Sequence, residues 1–115
     1  MLQSFVTLTA DRGHKLVASS GWIREEDIHT GWFHKIRLLV FTSSFTDGLC
    51  ELEIQELLCG RETITKKDFN GAPETLANFI ILVRCLGENA YDAITRFVHR
   101  VHNKELITPD DFPRI

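Results

Sequence analysis

Cysteine is scarce in this 115-residue chain, which holds only Cys50, Cys59 and Cys85. An odd number with no Cys-x-x-Cys spacing argues against a disulfide framework and against a thiolate metal site. It suits a reducing compartment, so a cytoplasmic location is expected. Long apolar runs are missing too. Leu38–Phe41 and Phe79–Val83 are the longest, far short of the about 18 residues of a membrane helix. Met1–Ala10 lacks the basic start and long apolar stretch of a signal peptide. Glycines stand singly, without a Gly-x-Gly-x-x-Gly or Walker pattern, so no phosphate cradle is expected. Basic charge is not in excess. Lys and Arg number 13 against 16 Asp and Glu, a net charge of −3, which is a poor footprint for generic nucleic-acid binding.

What the chain does have is an ordinary globular composition, 43% hydrophobic and 25% charged. That is enough for one domain with a real core. The apolar spacing predicts helices. Ala90, Tyr91, Ile94, Phe97, Val98 and Val101 form one stripe over Glu88–His102. Leu76, Phe79, Ile80, Val83 and Leu86 form a second, opened by Pro73 and closed at Gly87, so the two pack as a hairpin. Cys50, Ile54, Leu57 and Leu58 predict a helix over Asp47–Cys59, capped by Thr46 or Asp47 and ended by Gly60. Thr65-Lys66-Lys67-Asp68 predicts a short helix to Phe69. Phe33, Ile36 and Val40, with Leu39 and Phe41, predict one over Gly31–Ser43, preceded by an amphipathic piece over Trp22–His29. Thr108-Pro109-Asp110-Asp111 predicts a short terminal turn. No convincing strand is expected after Ala10, and the expected fold is all-α, a compact helical bundle.

Chemistry-bearing constellations are weak. His99 and His102 share a helix face, but two imidazoles without a third ligand rarely hold a metal. The cysteines read as core filling. Cys85 lies near a helix C-terminus, and Cys50 lies among Asp47, Glu51, Glu53 and Glu56, fields that disfavour a thiolate. Glu25-Glu26 and Asp110-Asp111 read as first-turn charges rather than a catalytic dyad. No enzyme, metal or cofactor is expected. A cysteine hydrolase using Cys85 and His99 is the weakest reading, since no triad or oxyanion-hole pattern accompanies them.

Charge segregation is the main functional signal. Phe33–Thr46 carries Lys35 and Arg37 with His34 and no acid, whereas Asp47–Gly60 carries four acids and no base. Arg84–Lys104 carries four bases against Glu88 and Asp92. Complementary blocks set encounter rate and register between protein surfaces, and a head-to-tail contact of unlike faces can grow a filament.

Phe33–Leu106 resembles a caspase recruitment domain (CARD) of the death-fold superfamily. Three stretches carry the resemblance: Lys35-Ile36-Arg37-Leu38-Leu39-Val40; Ile54-Gln55-Glu56-Leu57-Leu58 with Ile64-Thr65-Lys66-Lys67-Asp68-Phe69; and Leu82–Ile94 with its Gly87 turn. The resemblance implies a six-helix antiparallel Greek-key bundle over residues 33–115, after a partly helical extension over residues 1–32. It implies a non-enzymatic adaptor in apoptotic or innate-immune signalling that docks onto like domains of a caspase, kinase or sensor, or onto copies of itself. The implied basic face is Lys35, Arg37 and Arg84, and the implied acidic face is Glu51, Glu53, Glu56 and Asp68. The alternative is a helix-turn-helix nucleic-acid-binding regulator built on Leu49–Cys59 and the helices after it. The acids of that segment would face phosphate, which counts against it.

Overall fold

The structure is a computed structural model that describes residues 14–43 and 50–113. In chain order the elements are β1 (His14–Ser19), β2 (Ile23–Asp27), β3 (Trp32–Ser43), β4 (Cys50–Leu58), β5 (Arg61–Phe69), α1 (Pro73–Arg84), α2 (Ala90–Val101) and β6 (Leu106–Ile107). Short 3₁₀ turns stand at Gly87–Asn89 and Pro109–Asp111. The strands form one sheet in the order β1-β3-β4-β5-β6, with β2 beside the other end of β3. All pairings are antiparallel except β5 with β6.

This architecture overturns the expected all-α bundle, and with it the resemblance to a CARD or any death-fold domain. The described parts of the segments read as helices over Gly31–Ser43, Asp47–Cys59 and Thr65–Phe69 are β3, β4 and β5. The helix-turn-helix alternative loses the same helices. The expected cap at Thr46 or Asp47, like Met1–Ala10, lies outside the described residues.

The strands follow from alternation. Along β4, Cys50, Leu52 and Ile54 point to one face, and Glu51, Glu53 and Gln55 to the other. Along β3, Ile36, Leu38 and Val40 face the same way as Cys50, Leu52 and Ile54. The β4–β5 turn holds just Cys59 and Gly60, since Leu58 pairs with Arg61. Both turn residues have positive φ, 48° and 88°, the signature of a tight type I′ hairpin. Between β1 and β2 the edge strand breaks at Ser20, whose N–H donates to the Leu38 carbonyl at 3.0 Å. Its Oγ accepts from the Leu38 N–H at 2.9 Å, so β3 stays paired through the break.

The two helices are where the apolar stripes predict them. They cover the face carrying Ile36, Leu38, Val40, Leu52 and Ile54, and they bury Leu76, Phe79, Ile80, Val83, Ile94, Phe97 and Val101 against it. At the C-terminal end Phe112 stacks on Phe79, with ring centroids 4.2 Å apart, and on Phe69 at 5.7 Å. The opposite face is also partly buried: Leu39, Phe41, Glu53 and Gln55 are all at most 6% exposed. Among the described residues no helix is long and apolar enough to cross a membrane.

Candidate functional site

The sheet projects beyond the helices at the end bearing the β2–β3 and β4–β5 turns. Trp32 and Leu58 lie on the helix-covered side by strand parity, yet they are 38% and 43% exposed, and Ile28 in the turn is 85% exposed. Trp32 is a diagonal neighbour of Leu58, because the next pair along is His34 with Leu58. Acidic residues rim this apolar end. Asp27 pairs with Trp32 and Glu25 with His34 on β2, and Glu56 stands on β4. Arg61, opposite Leu58, is the base on the far side.

His34 sits where the projecting sheet meets α2. Its Nδ1 lies 2.8 Å from the Tyr91 hydroxyl, and its Nε2 lies 3.0 Å from Glu56 Oε1. A carboxylate only accepts, so the neutral ring that satisfies both partners carries its proton on Nε2 and accepts from Tyr91. Burial raises the Tyr91 pKa, and the nearby charges of Glu25, Asp92 and Glu56 raise it further. The phenol therefore stays protonated and donating. Trp32 and Tyr91 both set a ring edge-on to His34, with centroids 6.3 and 5.7 Å away. Nδ1 thus ties β3 to α2 and Nε2 ties it to β4, so both imidazole nitrogens are engaged within the fold.

Two clefts flank this contact. One, of about 320 Å³, is lined by His34, Ile36, Glu56, Thr95, Val98, His99 and His102. The other, of about 590 Å³, lies between the β1–β2 break and the α1–α2 turn, and its walls include Trp22, Arg24, Glu25, Arg84, Glu88 and Tyr91. His99 and His102 do line one cleft. Even so, no group of three His, Cys, Asp or Glu among the described residues is arranged to hold a metal ion.

The residues expected to form basic and acidic faces fall in three places. Lys35 and Arg37 lie on the face of the sheet away from the helices, together with Glu51, Glu53 and Asp68. There the charges meet each other. Arg37 donates through Nε to Gln55 Oε1 at 2.9 Å, and its guanidinium lies 4.5 Å from the Trp22 ring centroid. Burial lowers the Arg37 pKa, while Glu53 pulls it back up. Glu53 is 1% exposed, accepts from Gln55 Nε2 at 2.6 Å and pairs with Lys66 at 3.7 Å. Glu51 stands opposite Phe41 and Asp68. Glu56 is on the other face, bound to His34, and Arg84 ends α1 beside the larger cleft. Of the cysteines, Cys50 fills the core as expected, whereas Cys59 and Cys85 are exposed.

Sequence reasoning placed Leu58 and Tyr91 on apolar helix faces and gave no functional role to Trp32, Leu58 or Tyr91. The signal for Trp32 was the alternation Trp32, His34, Ile36 along β3, and that for Leu58 the alternation Cys50, Leu52, Ile54 along β4, once the segments are read as strands. No protein-family model matches the chain, and no curated protein or solved structure is significantly similar to it.

Proposed function

We propose that this chain is a non-enzymatic protein-interaction module that binds its partner at the projecting end of the sheet. The partner surface it fits is an apolar side chain flanked by Lys or Arg. One observation supports this above the rest: Ile28, Trp32 and Leu58 are exposed together inside a rim of Asp27, Glu25 and Glu56. Exposed apolar residues ringed by polar ones mark interaction sites, and aromatic anchors carry much of the energy there. The acidic rim would set encounter rate and orientation, with the apolar centre setting residence time. The internal saturation of His34 supports binding over catalysis at this site.

The test uses fluorescence anisotropy with labelled synthetic peptides that carry a central phenylalanine or leucine flanked by lysines. Trp32→Ala and Leu58→Asp are each expected to weaken binding by about tenfold or more, the scale of losing one anchor. Leu58→Asp is the discriminating variant, because it adds negative charge. If it leaves binding unchanged or strengthens it, the attraction is nonspecific charge and the proposal fails.

A further inference from the structure

The larger cleft, of about 590 Å³, has β2 as one wall and the α1–α2 turn as the other. That volume is ordinary for a small-molecule site. Three charged side chains define its chemistry. Glu25 pairs with His34, so by strand parity it stands on the helix-covered side, and its charge acts on Tyr91. Its neighbour Arg24 pairs with Lys35, so that side chain points to the other side of the sheet. Arg84 ends α1, and Glu88 follows four residues later. In an unbroken helix a base and an acid four apart would pair. Gly87, at φ 61°, turns the chain between them. Among the described residues Glu25, Arg84 and Glu88 form no ion pair and no side-chain hydrogen bond. The neutral hydroxyls of the cleft are already engaged. Ser20 Oγ accepts from the Leu38 N–H and donates to the Gly21 carbonyl, and the Tyr91 hydroxyl donates to His34.

We propose that this cleft binds a free basic amino acid of the arginine or lysine type. One guanidinium and two carboxylates line the same cleft without pairing with each other, and a ligand with one negative and two positive groups matches them. The α-carboxylate takes Arg84, whose planar fork suits bidentate recognition of a carboxylate. The α-ammonium takes Glu88, close to Arg84 in the chain. The side-chain cation takes Glu25 on the opposite wall, with its methylene stem along Ile23 and the Tyr91 ring. The same three charges reject other ligands. A neutral amino acid leaves one carboxylate unmatched, an acidic one sets like charge against Glu25, and an amine without a carboxylate leaves Arg84 unmatched. This site goes beyond the peptide-binding end of the sheet. Only Glu25 belongs to that acidic rim, so variants at Arg84 and Glu88 test the cleft alone.

The experiment is isothermal titration calorimetry of the full chain with L-arginine and L-lysine, with amide chemical-shift mapping on the same samples. Agmatine, which lacks the carboxylate, and L-norleucine, which lacks the side-chain cation, are the controls. L-Arginine or L-lysine is expected to bind saturably and to shift the Glu25, Gly87 and Glu88 amides. Agmatine and L-norleucine should bind about tenfold or more weakly, the scale of one lost charge-assisted contact. Arg84 and Glu88 are exposed, so their substitution should leave the circular dichroism spectrum unchanged. Arg84→Ala should remove the advantage of L-arginine over agmatine, and Glu88→Gln should weaken L-arginine by about tenfold. The absence of saturable binding by both basic amino acids overturns the proposal. So does agmatine or L-norleucine binding as tightly as L-arginine, or L-arginine binding that is indifferent to both substitutions.

Discussion

Asp111 shows how single side chains close this fold. It is 4% exposed, accepts from the Thr108 N–H through Oδ2 at 2.9 Å, and takes a short contact from Lys104 Nζ. Burial alone would raise its pKa. The hydrogen bonds from Lys104 and Thr108, with the charges of Lys104 and Arg100, outweigh that and hold it below the usual carboxylate range. The native state therefore binds this proton less readily than the unfolded chain. The stability it contributes is present above about pH 4 and is lost as pH falls through the lowered native value. Asp111→Asn should cost about 1–3 kcal/mol at pH 7, and clearly less near pH 3, as read from urea unfolding at the two values. Cys50 runs the opposite way. Burial, and then the charge of Glu74, push its thiol up to about 11 from 9.0. Its contribution is intact below about pH 9 and is lost as pH rises toward 11. Cys50→Ala should flatten the fall of stability over that interval, although it lowers stability at neutral pH by opening a small cavity.

At the scale of elements, the two-residue β4–β5 hairpin is the local signal that fixes the register of the central strands. Cys59 occupies a left-handed position there without being glycine or asparagine, which costs about 1 kcal/mol. Cys59→Asn creates the favoured Asn-Gly pair and should raise stability by roughly 0.5–1 kcal/mol in thermal or urea unfolding. Gly60→Ala should lower it by a similar amount. The same strands show why the sequence is easily misread. Cys50, Ile54, Leu57 and Leu58 fit a helical face only if Leu52 is passed over. With Leu52 included, Cys50-Leu52-Ile54 is a clean two-residue alternation. In β3 the alternation is hidden, because Leu39 and Phe41 on the second face are as buried as Leu38 and Val40 on the first. A strand apolar on both sides has no period to detect. The helices were legible because each carries an apolar stripe at three- and four-residue steps and α1 has a proline start, although Ile81 and Leu82 add exposed apolar surface beside the stripe of α1.

For the whole molecule, charge blocks read along the chain did not survive folding as separate faces. An antiparallel meander lays His34–Thr42 directly beside Cys50–Leu58, so the described parts of the basic run and the acidic run became neighbours. Lys35, Arg37 and Glu53 share one side of one sheet, while Glu56 crosses to the other and holds His34. Sequence segregation becomes surface segregation only when each block folds as its own helix, and here the blocks are adjacent strands. What the fold exposes instead is the end of the sheet that the two helices are too short to cover, with Trp32 and Leu58 on it. The account's central claim is that this end is the binding surface, and amide chemical-shift mapping tests it most directly. Adding the tightest lysine-flanked peptide to the labelled protein should shift the Ile28, Trp32, His34, Leu58 and Cys59 signals while leaving those of α1 in place. Shifts centred on α1 or the β5 edge, or none at peptide excess, would contradict it.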